Sequence, residues 1–227
     1  MKTVLFVVLV FYIYPALAQQ NSYTVRPEGD LNKILADSIR FHYPQFTQGT
    51  VFFRDGTTSG GVLNYNMVNS EMEFIAPKGD TLSLDNEATI KYIEIGNDTF
   101  FYDKIYLQLV EGNATAKLAK KEELKTSDIR KEGGYGGFSS TAAITTYSTL
   151  SSNGQATNLT QQQEIKVFKT TTYYLGDANN HFLPMNKKNA VKLFSKKQNA
   201  IEQYFKDTKI SSNKEEDIAA LIAFLNK

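Results

Sequence analysis

From Gly49 onward apolar residues recur at every second position in short runs, and turn residues interrupt them every eight to twelve positions. A period of two is that of a strand with one face turned inward, so most of this chain must fold as sheet. The runs lie at 50–54, 61–66, 71–75, 81–84, 90–95, 99–102, 104–111 and 114–120, and strand character resumes at 164–169 and 171–175. Between them Asp55-Gly56, Lys78-Gly79-Asp80, Gly96-Asn97-Asp98 and Gly112-Asn113 supply residues that tolerate positive φ, as tight hairpins demand. Links this short pair sequence neighbours, which predicts an antiparallel meander. Within 91–95, alternation sets Tyr92 and Glu94 on one face and Ile93 and Ile95 on the other.

The period changes at both ends. Leu31, Ile34, Leu35, Ser38 and Ile39 have helical spacing, which predicts one short helix within 30–41. After Pro184, segments 187–194, 198–206 and 214–226 read as helices. Ser212 with Glu215, or Asn213 with Glu216, offers a capping box for the last. Ile218, Leu221, Ile222 and Leu225 form a one-sided apolar stripe that needs a surface to cover it. The expected fold class is therefore mainly β (α+β): an antiparallel meander, as a curved sheet or sandwich, with C-terminal helices packed on it.

At the start, Lys2 precedes an apolar run over 4–14, followed by Pro15 and the small-residue pattern Ala16-Leu17-Ala18. This reads as a secretory signal peptide over 1–18 with cleavage between Ala18 and Gln19, leaving one domain over 19–227. The run is too short for a membrane span of roughly 20 residues, and no transmembrane segment is expected after signal removal. Removing Lys2 leaves 24 basic against 24 acidic residues. Neutrality argues against nucleic acid as a partner, because such binders draw their affinity from surplus Lys and Arg. An exported chain with no cysteine fits a bacterial envelope better than animal secretion. The sequons at Asn97, Asn113 and Asn158 point the other way, but chance supplies a few in a chain rich in Asn and Thr.

The segment 133–163 holds 31 consecutive uncharged residues, opening on Gly133-Gly134-Tyr135-Gly136-Gly137. Its composition predicts a low-complexity loop. The rival reading is a neutral hairpin that meets a partner, with Tyr135, Phe138, Ile144 and Tyr147 as contact residues.

Chemistry-bearing motifs are few. With no cysteine, thiol catalysis, disulfides and Cys-ligated metal are excluded, and two histidines make a His-rich metal site remote. No cofactor is expected. Gly134-x-Gly136 lacks the flanking strand and helix of a dinucleotide site. Asp177, Asn179 and Asn180 resemble the opening of a calcium loop, yet Phe182 and Lys188 stand where its Gly and Glu are required, so an Asx turn is expected. His42 and His181 are the general-base candidates. Glu71 and Glu73 share a strand face, expected to be solvated, and Lys187, Lys188, Lys192, Lys196 and Lys197 suit a solvated helix face or contact with anionic lipid.

Certain segments carry a resemblance in their order: Asp55-Gly56, Leu63-Asn64-Tyr65-Asn66, Met72-Glu73-Phe74-Ile75, Gly79-Asp80-Thr81-Leu82, Ile95-Gly96, Phe101-Tyr102, Thr172-Tyr173-Tyr174, Lys187-Lys188-Asn189 and Asn213-Lys214-Glu215-Glu216-Asp217. On these the chain resembles an uncharacterised family of exported, signal-peptide-bearing proteins of Bacteroidota. The resemblance implies a diderm envelope, periplasmic or at the cell surface, and brings no catalytic or ligand-binding residue with it. The expected function is a non-enzymatic exported protein that binds a protein or envelope component. The alternative is a periplasmic hydrolase with an unrecognised polar site. An outer-membrane barrel fits poorly, because these strands are shorter than the nine to eleven residues a barrel needs. N-terminal sequencing of exported material is expected to begin at Gln19, and recovery of intact, membrane-embedded chain starting at Met1 would overturn the leader assignment.

Overall fold

The computed structural model of the chain describes residues 22–25, 31–132, 138–140 and 163–227. The predicted leader, with Ala18 and Gln19, lies outside them, as do Tyr135, Ile144 and Tyr147. Twelve strands are β1 (Ser22–Val25), β2 (Thr47–Phe53), β3 (Thr58–Asn66), β4 (Glu71–Ile75), β5 (Thr81–Ser83), β6 (Ile90–Ile95), β7 (Asp98–Tyr102), β8 (Tyr106–Gly112), β9 (Lys117–Glu132), β10 (Phe138–Ser140), β11 (Gln163–Gly176) and β12 (Phe182–Pro184). The helices are α1 (Leu31–Ile34), α2 (Asp37–Arg40), α3 (Lys187–Leu193), α4 (Gln198–Asp207) and α5 (Glu215–Leu225).

All strands join one open antiparallel sheet in the order β5-β4-β3-β2-β6-β7-β8-β9-β11-β1, with β10 beside β9 and β12 beside β11. Two meanders make it, β2 to β5 and β6 to β9. They meet where β6 returns to pair with β2, Val51 facing Ile93. The expected turn glycines Gly56, Gly79, Gly96 and Gly112 all have positive φ. At Gly112 a Cβ would stand 2.5 Å from the Ala116 carbonyl oxygen, so the hairpin into β9 closes only on glycine.

The sheet curls. The Leu124 amide on β9 donates to the Met67 carbonyl just past β3, at 2.9 Å, although four strands separate β9 from β3 in sheet order. Residues 40–42 reinforce the curl: Phe41 bridges to Asn66, and the His42 amide donates to the Tyr65 carbonyl. Two buried asparagines hold this segment. Asn64 accepts from the Tyr43 amide and donates to the Tyr43 carbonyl, as a strand neighbour would. Asn66 accepts from the Val68 and Asn69 amides and donates to Glu73 and Asn32.

Alternation then sorts side chains into cores. On the concave face Leu31, Val51, Leu63, Tyr65, Ile93, Ile95, Phe100, Leu124 and Val167 form the first core. Leu118 and Leu175 lie on that same face of β9 and β11, but they belong to a second core with Ala190, Ile201, Ile218, Leu221, Ile222 and Leu225 of the helices. On the opposite face Phe101, Leu107, Ala119 and Phe182 form a third. There the Phe182 ring occupies the space a Cβ on Gly176 would take.

Several expectations change. The single helix within 30–41 is two single turns, because Ala36 takes an extended backbone (φ −59°, ψ 148°) that steers Phe41 to its bridge with Asn66. Of the run at 114–120 only 117–120 are strand, and they open a strand of sixteen residues, while the runs at 164–169 and 171–175 are one strand of fourteen. Three residues of the 133–163 segment, Phe138–Ser140, form β10 against Arg130 to Glu132. Neither capping box forms: Lys214 is the N-cap of α5 without a side-chain bond, and Asp217 accepts from the Ser211 amide. Asn186 caps α3 by accepting from the Asn189 amide.

All four stripe residues of α5 are buried, with Ile218, Leu221 and Leu225 at 0% exposure. Two polar ties anchor the helix ends: the Tyr173 hydroxyl donates to Glu215, and Asn226 accepts from the Ala116 amide while donating to the Ala116 carbonyl. Leu221→Ala is expected to cost about 2 to 5 kcal/mol through lost transfer energy and a residual cavity. Lys196→Gln, at an exposed position, should cost under about 1 kcal/mol. Urea denaturation of the two variants checks both, and an unchanged midpoint for Leu221→Ala would contradict the packing.

Candidate functional site

The two cores share one face of one strand, and what lies between them is polar. On β9 the concave side reads Leu118, Lys120, Glu122, Leu124, with the helical core at one end and the first core at the other. The seam is thus set by the alternation of a single strand. Gln108, opposite Lys120, and Phe100, opposite Gln108, extend the same face onto β8 and β7. Tyr65 enters from β3 and His42 from the segment that closes the curl.

Glu122 is the centre. Its carboxylate accepts from His42 Nδ1 at 2.9 Å and from Lys169 Nζ at 3.1 Å, and Lys120 Nζ stands at 3.8 Å. An ionised carboxylate only accepts, so His42 Nδ1 carries a proton and donates it to Glu122. Burial pushes the Glu122 carboxyl up, but the bonds from His42 and Lys169 and the Lys169 and Lys120 charges outweigh it and hold it at about 2. The His42 ring is wedged edge-on between Tyr43 and Phe100.

His42, Tyr65, Phe100, Tyr106, Gln108, Lys120 and Glu122 line a cavity of about 10 Å³, room for one water molecule. The Tyr106 hydroxyl and Gln108 Oε1 are buried there without a protein partner, and so is the Tyr65 hydroxyl, which Ser70 approaches outside hydrogen-bond geometry. Burial pushes both phenols up, so they remain neutral hydroxyls able to donate and accept. Chemically the seam can hold a water and orient an imidazole beside it.

The other candidates fall elsewhere. His181 is exposed, its Nδ1 3.9 Å from Asp103, and unlike His42 it is not among the residues that line the cavity. Glu73 is buried rather than solvated and accepts from Asn66; burial raises its carboxyl above the usual range, and Glu71 accepts from the Ser83 hydroxyl. Asp177 accepts from the Asn179 and His181 amides, so 177–181 is an Asx turn. Of the partner-contact residues, Phe138 has its backbone in β10, facing Glu132. No group of three or more His, Cys, Asp or Glu that could hold a metal occurs among the described residues. No helix among them is long and apolar enough to cross a membrane. The sequence named His42 but not Glu122, whose partner lies 80 residues away.

Because Glu122 titrates below its usual 4.5 when folded, it stabilises the fold above pH 4.5, and that contribution is lost as pH falls towards about 2. Glu122→Gln should flatten the stability profile across that window and cost about 1 to 3 kcal/mol at neutral pH, read by urea denaturation at stepped pH. A high-resolution crystal structure is expected to show one ordered water bonded to the Tyr106 hydroxyl and Gln108 Oε1. Comparison of the chain with protein-family models, with curated proteins and with solved structures finds no match.

Proposed function

We propose that the chain is an exported protein of a diderm bacterial envelope, periplasmic or at the cell surface, that binds a protein or another envelope component without converting a substrate. The observation that carries the reading is the arm formed by β9 and β11. These strands pair from Lys117 with Gly176 to Lys131 with Gln163, whereas β8 accompanies β9 only as far as Lys120. Past Thr126 and Val167 the paired backbone continues to Lys131, roughly 15 to 20 Å at strand rise. That arm leads directly into the 133–163 segment with its candidate contacts Tyr135, Phe138, Ile144 and Tyr147. Beyond the end of β8 this ribbon, flanked by β1 along 165–168 of β11 and by β10 along 130–132 of β9, ends in uncharged, aromatic-bearing chain that suits contact with a partner.

The hydrolytic alternative rests on His42, oriented by Glu122 beside a water-sized cavity. Two lysines and an imidazole share that carboxylate, and among the seven lining residues none is a serine or threonine. Such mutual satisfaction describes a structural tie better than a reacting group. Crosslinking and affinity capture of the tagged full chain from its native envelope should yield one reproducible component. Tyr135→Ser, Ile144→Ser and Tyr147→Ser combined should lose it, with the midpoint of unfolding retained. Capture that survives the triple variant would remove the arm from the interface. Hydrolysis of a model ester that disappears in His42→Ala would replace the binding reading.

A further inference from the structure

The helical part of the chain has a charge asymmetry that the fold does not use up. From residue 178 to 201 there is no acidic residue, while Lys187, Lys188, Lys192, Lys196 and Lys197 all fall within it. Lys197 is engaged, donating to the Leu225 carbonyl at the C-terminus of α5. The other four are exposed, and none pairs with an acid among the described residues. Lys188 and Lys192 are one helical turn apart on α3, whose Ala190 is packed into the second core, so this helix offers its charges outward.

Four of the five acids between 202 and 217 are turned to internal work, Glu216 being the exposed exception. Glu202 and Asp207 accept from Gln198 and Gln203 one turn away, Glu215 accepts from Tyr173 on the sheet, and Asp217 accepts from the Ser211 amide. Their charge sits on α4 and on the first turn of α5, and none of it on α3 itself. What α3 and the turn after it present to solvent is therefore one sign of charge on a rigid support.

Resting on the envelope reading above, we infer that Lys187, Lys188, Lys192 and Lys196 form a docking face for the anionic headgroups of a lipid leaflet. Clustered ammonium groups are point charges that attract phosphate without requiring a shaped pocket, and each near an anionic bilayer strengthens binding about fivefold. The face lacks the apolar side an inserted amphipathic helix needs, since Ala190 is buried in the fold and Val191 and Leu193 pack against the same core. The contact is electrostatic and superficial, and it weakens with salt.

Flotation of the purified full chain with phosphatidylcholine vesicles, and with mixed phosphatidylcholine and phosphatidylglycerol vesicles, tests the inference. Binding is expected only to the mixed vesicles and should fall as salt is raised. Lys187→Gln, Lys188→Gln, Lys192→Gln and Lys196→Gln combined should weaken it at least a hundredfold with an unchanged Tm. A control with Lys33, Lys78, Lys91 and Lys104 each changed to Gln removes the same charge from exposed positions elsewhere and should keep most of it. No binding to the mixed vesicles, equal loss in both variants, or binding that ignores salt would each overturn the docking face. Those failures leave the envelope reading standing if capture from the envelope still returns a component. Conversely, a chain that is never exported would defeat that reading whatever the vesicles show.

Discussion

The register between β9 and β11 is the constraint on which the rest of this structure depends. Thirteen residue pairs set it, and along them a single face of β9 must serve the helical core at Leu118 and the first core at Leu124. A slip by one residue would turn Ala119, Lys121, Glu123 and Lys125 inward and both leucines outward. The second face is equally committed: Glu123 is flanked by Lys121 and Lys125, which both donate to it. Burial raises the Glu123 carboxyl, and these two lysines more than offset that and lower it. Each face thus carries its own charge balance, and only one register satisfies both.

Seen this way, the polar seam is a consequence of building two cores on one strand. Leu118 and Leu124 are six residues apart, and the residues between them on that face, Lys120 and Glu122, fall where neither core can cover them fully. A carboxylate placed there is costly unless paired, and His42 and Lys169 supply the pairing from opposite sides. His42 is available because Asn64 and Asn66 pin residues 40–43 along the end of β3. The asparagines, the imidazole and the carboxylate thus belong to one device that draws the open sheet into a curl.

The regular parts of this architecture were legible because their period is visible. The runs 71–75 and 90–95 coincide with β4 and β6, and the stripe of α5 is buried as its spacing requires. The long extension of β9 was hidden by its own chemistry. In Lys120-Lys121-Glu122-Glu123 both faces are charged, so the apolar alternation that betrays a strand is missing, and the ion pairs that replace it are visible only in three dimensions. Pairing of His42 with Glu122 escaped for a related reason: sequence shows neither the curl nor the partner across it. The capping box failed because Asp217 found the Ser211 amide, a competing solution of equal local chemistry.

Asn226, the residue that caps the C-terminus of α5, closes both hydrogen bonds on the backbone of Ala116, 110 residues earlier. The helix before it covers Leu118 and Leu175, so the sheet's second core has no lid until α5 has formed. Native contacts of such long sequence separation carry a large loop-closure cost before they repay anything, which slows folding. In a chain arranged in this way the second core stays open until the residues of α5 have been made and are free to fold back, and removing Leu225 and Asn226 would expose an apolar sheet face rather than merely shorten a helix.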